Sequence, residues 1–329
     1  MSSTAGPATL PAPRANRPRS LRRQLDRLGD RTLYAVCLAA ALLAAITIIA
    51  VAYEIIQGAQ PAISKFGIGF VTSTTWQPNF GVFGAGSLLF GTAVSSFFAL
   101  LLGAPIAIAI ALFLSMLAPT AVRGVIGPLV EMLAAIPSVI LGFWGVLILA
   151  PFVHEHVEPF LHDTFGFIPL FGKPETTGSS IFTASLILTI MIIPIIASIS
   201  RDLFLAVPRD LQDGASALGA TRWEVIRGVV LPSTVSGVVA ASILGLGRAL
   251  GEAIAVAQVI GAGSELQASL FKTGDTLAAR IANQFPGALT ELHKAALFYC
   301  GVILLVIGIF SNIAAHWIGR RFGVESRRA

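Results

Sequence analysis

Six stretches of the chain are long and apolar enough to cross a lipid bilayer, whose hydrocarbon core of about 30 Å requires roughly 20 apolar residues per helix. They lie at about 32–56, 86–114, 125–152, 180–204, 234–262 and 293–318. Backbone amides inside lipid must be paired within their own segment, and the stretches lack the alternation of a transmembrane barrel. We therefore predict an all-α, polytopic membrane protein with six transmembrane helices.

The composition excludes an ordinary soluble enzyme. The chain is 55% hydrophobic and 12% charged, whereas soluble domains carry about 25% charged residues. Two cysteines within apolar stretches exclude a disulfide scaffold. Acidic and histidine residues between 154 and 163 show no metal-ligand spacing, so we interpret them as a solvated loop. We predict no catalytic activity, no metal site and no cofactor.

The basic residues indicate the orientation, because lysine and arginine concentrate on the cytoplasmic side of membrane proteins. With the N-terminus inside, sixteen of the 22 basic residues are cytoplasmic, five are external and one, Arg248, lies within a span. This distribution explains the net charge of +5 without nucleic acid. We predict a cytoplasmic basic tail at 1–31, a transmembrane domain at 32–318 and a cytoplasmic tail at 319–329. Residues 20–29 form either a short amphipathic helix on the lipid headgroups or part of a solvated tail.

The inner loop at 205–232 is long and patterned. Pro208 suits the start of a helix that continues through 209–218. Gly219 follows at the position where a residue with left-handed backbone conformation is expected to end that helix. Thr221 and Glu224 form a capping-box pattern that predicts a second helix from Trp223. These signals predict a compact projection from the membrane, with Trp223 either exposed as an interface anchor or packed beneath the loop.

This loop resembles the cytoplasmic signature of the membrane subunits of ABC importers, which begins Glu-Ala-Ala, has a glycine six residues after the Glu and ends in Leu-Pro. Ala215, Gly219, Leu231 and Pro232 match this signature, whereas Asp213, Gly214 and Val229 occupy signature positions with conservative departures. The resemblance implies that the segment, including Trp223 and Glu224, couples the chain to a separate ATPase. The chain contains no G-x-x-x-x-G-K-[ST] motif of its own.

Two charged residues, Arg248 and Glu252, fall within the fifth apolar stretch. Their spacing of four residues predicts one helical face, and each alone at the bilayer centre costs about 3 kcal/mol. Either they form an ion pair that locks helices together, or the guanidinium faces a polar pathway, where its planar fork suits tetrahedral oxyanions. Glu131, in the third stretch, either neighbours the inner end of such a pathway or faces water at headgroup level.

Three segments resemble the C-type membrane subunits of phosphate ABC importers. They are LGRALGE at 246–252, VEMLAAIPSVILGFWG at 130–145 and the run at 181–202. The resemblance implies a permease of the bacterial inner (plasma) membrane that moves inorganic phosphate, with Arg248 holding phosphate briefly and Glu252 keeping the empty site neutral. It also implies as partners a homologous A-type permease subunit, a cytoplasmic ABC ATPase dimer, an extracytoplasmic phosphate-binding protein and membrane lipid.

Two other functions compete with this interpretation. One is a permease for another oxyanion, such as molybdate or sulfate. The other is a secondary transporter that works without ATP, which would predict an internal repeat. The two three-helix halves of the chain show no convincing repeat, and a secondary transporter would leave the 205–232 loop unexplained.

Overall fold

The computed structural model describes the backbone of residues 19–175 and 177–322 and the side chains of residues 29–175 and 177–318. Of the predicted tails at 1–31 and 319–329, residues 1–18 and 323–329 lie outside the described residues. Contacts divide the chain into two units, Met1–Tyr53 and Glu54–Ala329. In the first unit, nearly all described side chains are exposed, as expected for an apolar helix surrounded by lipid.

Helices dominate the described segments, and six of them are long and apolar enough to span a membrane. The spanning helices are α1 (Arg19–Phe66), α2 (Gly86–Leu117), α4 (Ser138–Phe165), α5 (Ile181–Leu205), α7 (Arg222–Gly251) and α10 (Glu291–Phe322). Shorter helices lie between them, among them α3 (Thr120–Ala135), α6 (Arg209–Ala217), α8 (Ile254–Val259) and α9 (Leu277–Gln284). The prediction of an all-α protein with six spans is confirmed. The backbone of 20–29 is helical and continuous with the first span.

Helix α5 is the centre of the second unit, and most of its apolar span is buried. It packs against α2 and α7, and glycines on these neighbours allow the close approach. A Cβ at Gly103 would lie 2.9 Å from Ile192, and one at Gly245 would lie 2.8 Å from Ile196. Small residues commonly serve this purpose between membrane helices, where the gain comes from packing rather than from exclusion of water.

The third and fifth apolar stretches are broken, which corrects the predicted spans at 125–152 and 234–262. Ile136 and Pro137 are extended and separate α3 from α4, because a residue that precedes proline disfavours the helical region. Glu252 is also extended, with ψ of 118°, and separates α7 from α8. Pro105 and Pro194, by contrast, remain inside α2 and α5.

The predicted loop at 153–179 is also partly wrong, since α4 continues to Phe165. The last turns of α4 carry Glu158, which is buried and accepts a hydrogen bond from Ser180 Oγ over 3.2 Å. His154 Nδ1 lies 3.3 Å from the same carboxylate. These contacts fix the end of α4 to the start of α5. Across the described residues, no three His, Cys, Asp or Glu side chains converge as a metal site would require.

Candidate functional site

The segment between α5 and α7 folds as its local signals predict. Helix α6 begins after Pro208, and Gly219 adopts a left-handed φ of +90° just beyond its end. The Thr221 amide donates to Glu224 Oε2 over 2.7 Å, and the Glu224 amide donates to Thr221 Oγ1 over 3.4 Å. The capping box is therefore confirmed, and the second helix begins one residue earlier than predicted, at Arg222.

Most of the predicted coupling residues form an exposed surface. The exposed members are Asp213, Gly214, Gly219, Trp223, Glu224 and Pro232, and the half-buried ones are Ala215 and Leu231. Trp223 is 63% exposed, so it does not pack beneath the loop. A cavity of about 540 Å³ lies between α6, the start of α7 and the end of α2, and Asp213 contributes to its wall. The arrangement leaves an aromatic side chain and several backbone turns exposed on one surface.

Arg248 and Glu252 do not share a helical face, which corrects the sequence prediction. Helix α7 ends at Gly251, and the extended backbone of Glu252 turns its carboxylate towards α8, where Oε1 accepts from the Ala255 amide over 3.4 Å. Arg248 is exposed and makes no hydrogen bond or ion pair with any residue that the structure describes. The ion-pair interpretation therefore fails, and the guanidinium is available to a ligand.

Both residues nevertheless line one cavity of about 570 Å³ between α5, α7 and α10. Its lining also includes Ile195, Leu244, Gly247, Gly251, Gly308 and Asn312. A smaller cavity of about 170 Å³ is also lined by Arg248 and reaches the break between α3 and α4, where Ile136 and Leu141 contribute to its wall. Arg248 thus lines two cavities, and the smaller one lies where the third apolar stretch is broken.

Glu131 and Arg201 form an ion pair that joins α3 to α5. Arg201 Nη1 donates to Glu131 Oε1 over 3.1 Å, and the Glu131 side chain is 56% exposed. Arg201 lies six residues beyond Ile195 on α5, which at 1.5 Å per residue is about 9 Å along the helix from the cavity wall. The pair therefore lies between the Arg248 cavity and the end of the bundle that carries α6. Glu131 is largely exposed and lies towards the α6 end of the bundle from this cavity.

A second ion pair is deeply buried and was not apparent from the sequence. Arg280 Nε lies 2.7 Å from Asp275 Oδ2, and both side chains are at most 4% exposed. The guanidinium also lies over the Trp76 ring, 5.5 Å from its centroid, and donates to Ser264 Oγ. Burial raises the pKa of the Asp275 carboxyl from 3.8 to about 6, although Arg280 and the Thr276 amide act in the opposite direction. The cluster holds the 263–290 segment against the loop before α2.

Asn312 is a further residue that the sequence prediction omitted. It lies within the apolar span of α10 and contributes to the same cavity as Arg248 and Glu252. Its signal in the sequence was a carboxamide in an otherwise apolar stretch, which in a membrane span indicates a functional or helix-joining role.

Comparison with known proteins identifies relatives over most of the chain. Residues 103–324 match the family described as the binding-protein-dependent transport system inner membrane component. The chain is 42% identical over 302 residues to the phosphate transport system permease protein PstC of Mesorhizobium japonicum, covering 91% of each chain. It is 45% identical over 263 residues to the protein of the same name from Pasteurella multocida, covering 78% of this chain and 81% of that one.

Among solved structures, the chain is similar to a subunit of a bacterial alginate ABC transporter in complex with an alginate-bound periplasmic protein. The TM-score is 0.60 at 19% identity, and the match covers 91% of this chain and 97% of that chain. At this identity the likeness concerns the fold alone, which is that of an ABC importer permease.

Proposed function

The chain belongs to the family of binding-protein-dependent transport system inner membrane components, and from this premise we propose that it is the permease subunit of an ATP-driven phosphate importer. Relatives at 40% identity and above carry the name of a phosphate transport permease. The observation that carries the proposal is an exposed, unpaired Arg248 guanidinium facing a cavity within the membrane-spanning bundle.

Arg248 supplies the attraction for the anion. An unpaired cation within a span is unfavourable when the site is empty, and a tetrahedral oxyanion that accepts two parallel hydrogen bonds from the guanidinium offsets that cost. The Glu252 carboxylate, in the same cavity, keeps the local charge near neutral between transport events. One arginine per subunit gives a weak site, and a weak site permits release.

The surface formed by α6, Gly219 and the capping box couples this subunit to an ABC ATPase. Its exposed Trp223 and rigid capped turn are suited to a groove on a partner. The distribution of basic residues supports the orientation in which this surface and both termini are cytoplasmic. An extracytoplasmic binding protein delivers phosphate to the opposite end of the bundle.

A second, homologous permease subunit completes the pathway. In this chain the Arg248 cavity is open at one side and Arg248 itself is exposed. A charged pathway open to lipid would be highly unfavourable. The partner subunit therefore closes the cavity and contributes a second wall, and two ATPase subunits drive its alternate opening to each side.

Reconstitution tests this function. Proteoliposomes that contain the chain with its cognate permease, ATPase and binding protein are expected to accumulate phosphate only with internal ATP, and excess sulfate is not expected to compete. Arg248→Gln should abolish uptake while the complex still assembles. Lys294→Gln, which removes an exposed charge paired to Glu291, is the matched control and should transport normally. ATP-independent uptake, or normal uptake by Arg248→Gln, would contradict the proposal.

A further inference from the structure

Asn312 occupies an unusual place for a polar side chain in a membrane span. Its side chain is exposed rather than buried among helices, and it faces the cavity that contains Arg248 and Glu252. A polar residue that joins membrane helices donates or accepts across the helix interface. Asn312 instead donates from Nδ2 to the Gly308 carbonyl of its own helix, over 3.1 Å. A helix-joining role therefore does not explain it.

The hydrogen-bonding capacity of Asn312 is largely unused. A carboxamide has two N–H donors and one oxygen acceptor. The carbonyl of Gly308 can only accept, so Nδ2 must face it, and this contact satisfies one of the two N–H groups. In the part of the chain that the structure describes, the second N–H group and the Oδ1 atom make no further hydrogen bond. Asn312 lines the same cavity as the unpaired guanidinium.

These free groups complement those of Arg248. A guanidinium only donates, so it contacts the unprotonated oxygens of an oxyanion and cannot recognise a proton on it. A carboxamide can contact an anionic oxygen and also recognise a proton, because its N–H group donates to the anionic oxygen while its own oxygen accepts from a hydroxyl. Hydrogen phosphate has such a hydroxyl at neutral pH, and sulfate has none. A site that contains both side chains can therefore distinguish the two anions.

We propose that Asn312 is a specificity-determining residue of the anion pathway, where its carboxamide contacts a protonated oxyanion held by Arg248. The inference rests on the proposed transport function and extends it to a residue on the sixth span. It assigns to α10 a direct part in binding, in addition to its packing against α7.

Transport by the reconstituted importer tests the proposal through the turnover number. Asn312→Leu, similar in size and without hydrogen-bonding groups, should lower the phosphate turnover number about tenfold, as expected for one lost hydrogen bond to a charged ligand. The KM for the loaded binding protein should not change, because that protein docks elsewhere. Asn312→Ser, whose hydroxyl both donates and accepts, should recover part of the rate. Ser311→Ala is the matched control on the adjacent residue, which does not line the cavity.

A normal turnover number in Asn312→Leu would overturn the inference and leave the proposed function intact, since the wild-type importer would still transport phosphate. Equal losses in Asn312→Leu and Asn312→Ser would also overturn it, because they would indicate a requirement for shape rather than for hydrogen bonding. Absence of ATP-driven phosphate uptake by the wild-type complex would instead contradict the proposed function.

A labelling experiment tests the location of Asn312 without relying on transport. In the complex with Cys37 and Cys300 replaced by serine and alanine, Asn312→Cys should react with an anionic methanethiosulfonate reagent, and inorganic phosphate should slow the reaction. Ile313→Cys, next along the helix and 59% exposed, does not line the cavity and should not react. Equal reactivity of the two cysteines, or no protection by phosphate, would overturn the inference.

Discussion

Arg248 and Glu252 line the same cavity although the helix that carries Arg248 ends between them, at Gly251. The Glu252 carboxylate accepts from the Ala255 amide, and the guanidinium has no partner among the residues the structure describes. Two opposite charges that share a cavity without pairing can each act on a third group. An ion pair would first have to be broken, and that requirement would oppose the binding of an anion.

The absence of a direct pair predicts only weak coupling between the two residues in stability. The loss of unfolding free energy in Arg248→Gln/Glu252→Gln should differ from the sum of the losses in the single variants by less than about 1 kcal/mol, because opposite charges that share a cavity still attract each other although they do not pair. Denaturation of the purified subunit in detergent measures the three values. Coupling above about 1 kcal/mol would show that the two side chains pair in the protein in solution.

Gly219 and Gly214 should respond oppositely to the same substitution. Gly219→Ala places a Cβ at φ of +90°, which costs about 1–2 kcal/mol, and it should displace the capped turn and reduce ATP-driven uptake. Gly214 lies within α6, and a Cβ there meets no atom within 4 Å. Gly214→Ala should therefore stabilise the helix by up to about 1 kcal/mol and preserve uptake. Similar behaviour of the two variants in melting and transport assays would contradict this.

Trp223→Ala is expected to affect partner binding rather than folding. The side chain is 63% exposed, so its removal should change stability by no more than about 0.5 kcal/mol, whereas the loss of an aromatic anchor weakens an interface by about 2 kcal/mol or more. Co-purification of the cognate ATPase with the membrane subunit measures the effect. Phe167→Ala is the control, because Phe167 is 82% exposed and lies outside the segment between α5 and α7. Full ATPase retention by Trp223→Ala would rule out this role.

The buried pair of Arg280 and Asp275 should be essential for stability. Arg280→Met leaves an uncompensated buried carboxylate and should lower the unfolding free energy by about 3–5 kcal/mol at neutral pH. The double variant Arg280→Met/Asp275→Asn should recover much of that loss of unfolding free energy, because it no longer contains the unpaired carboxylate. Lys272→Met removes the partly exposed pair with Glu175 and should cost no more than about 1 kcal/mol. Similar losses for Arg280→Met and Lys272→Met would show that burial does not govern the effect.

The stability of the Arg280→Met variant should also depend on pH. In the wild type, burial raises the pKa of Asp275 to about 6, so the folded protein retains a proton that the unfolded chain loses near pH 4. This group therefore makes stability fall as the pH rises from about 4 to 6 and contributes no further change above 6. Without Arg280 the pKa of Asp275 rises further. The loss of unfolding free energy in Arg280→Met, relative to the wild type, should therefore shrink as the pH decreases. Melting curves between pH 5 and 8 measure this; a deficit that grew at low pH would contradict it.

The sequence by itself determined the local features of this protein. Six apolar stretches specify six helices, because lipid leaves backbone amides no other partners. Pro208, Gly219 and the Thr221–Glu224 box specify the segment between α5 and α7, because each signal acts over three or four residues. The structure confirms the six spans and the helices of this segment, one of which begins a residue earlier than predicted, although the third and fifth apolar stretches are each broken.

Only the tertiary structure decided which way the polar side chains of the spans face and where the spans break. Pro137 and Pro194 both lie in apolar stretches, yet only the first lies at a break between helices. Arg280 was indistinguishable in the sequence from an exposed basic residue, and Asn312 from a residue that joins helices. Lipid tails are as apolar as a protein core, so hydropathy cannot separate a surface that faces lipid from one that faces a cavity or another helix. That distinction depends on contacts between segments far apart in the chain.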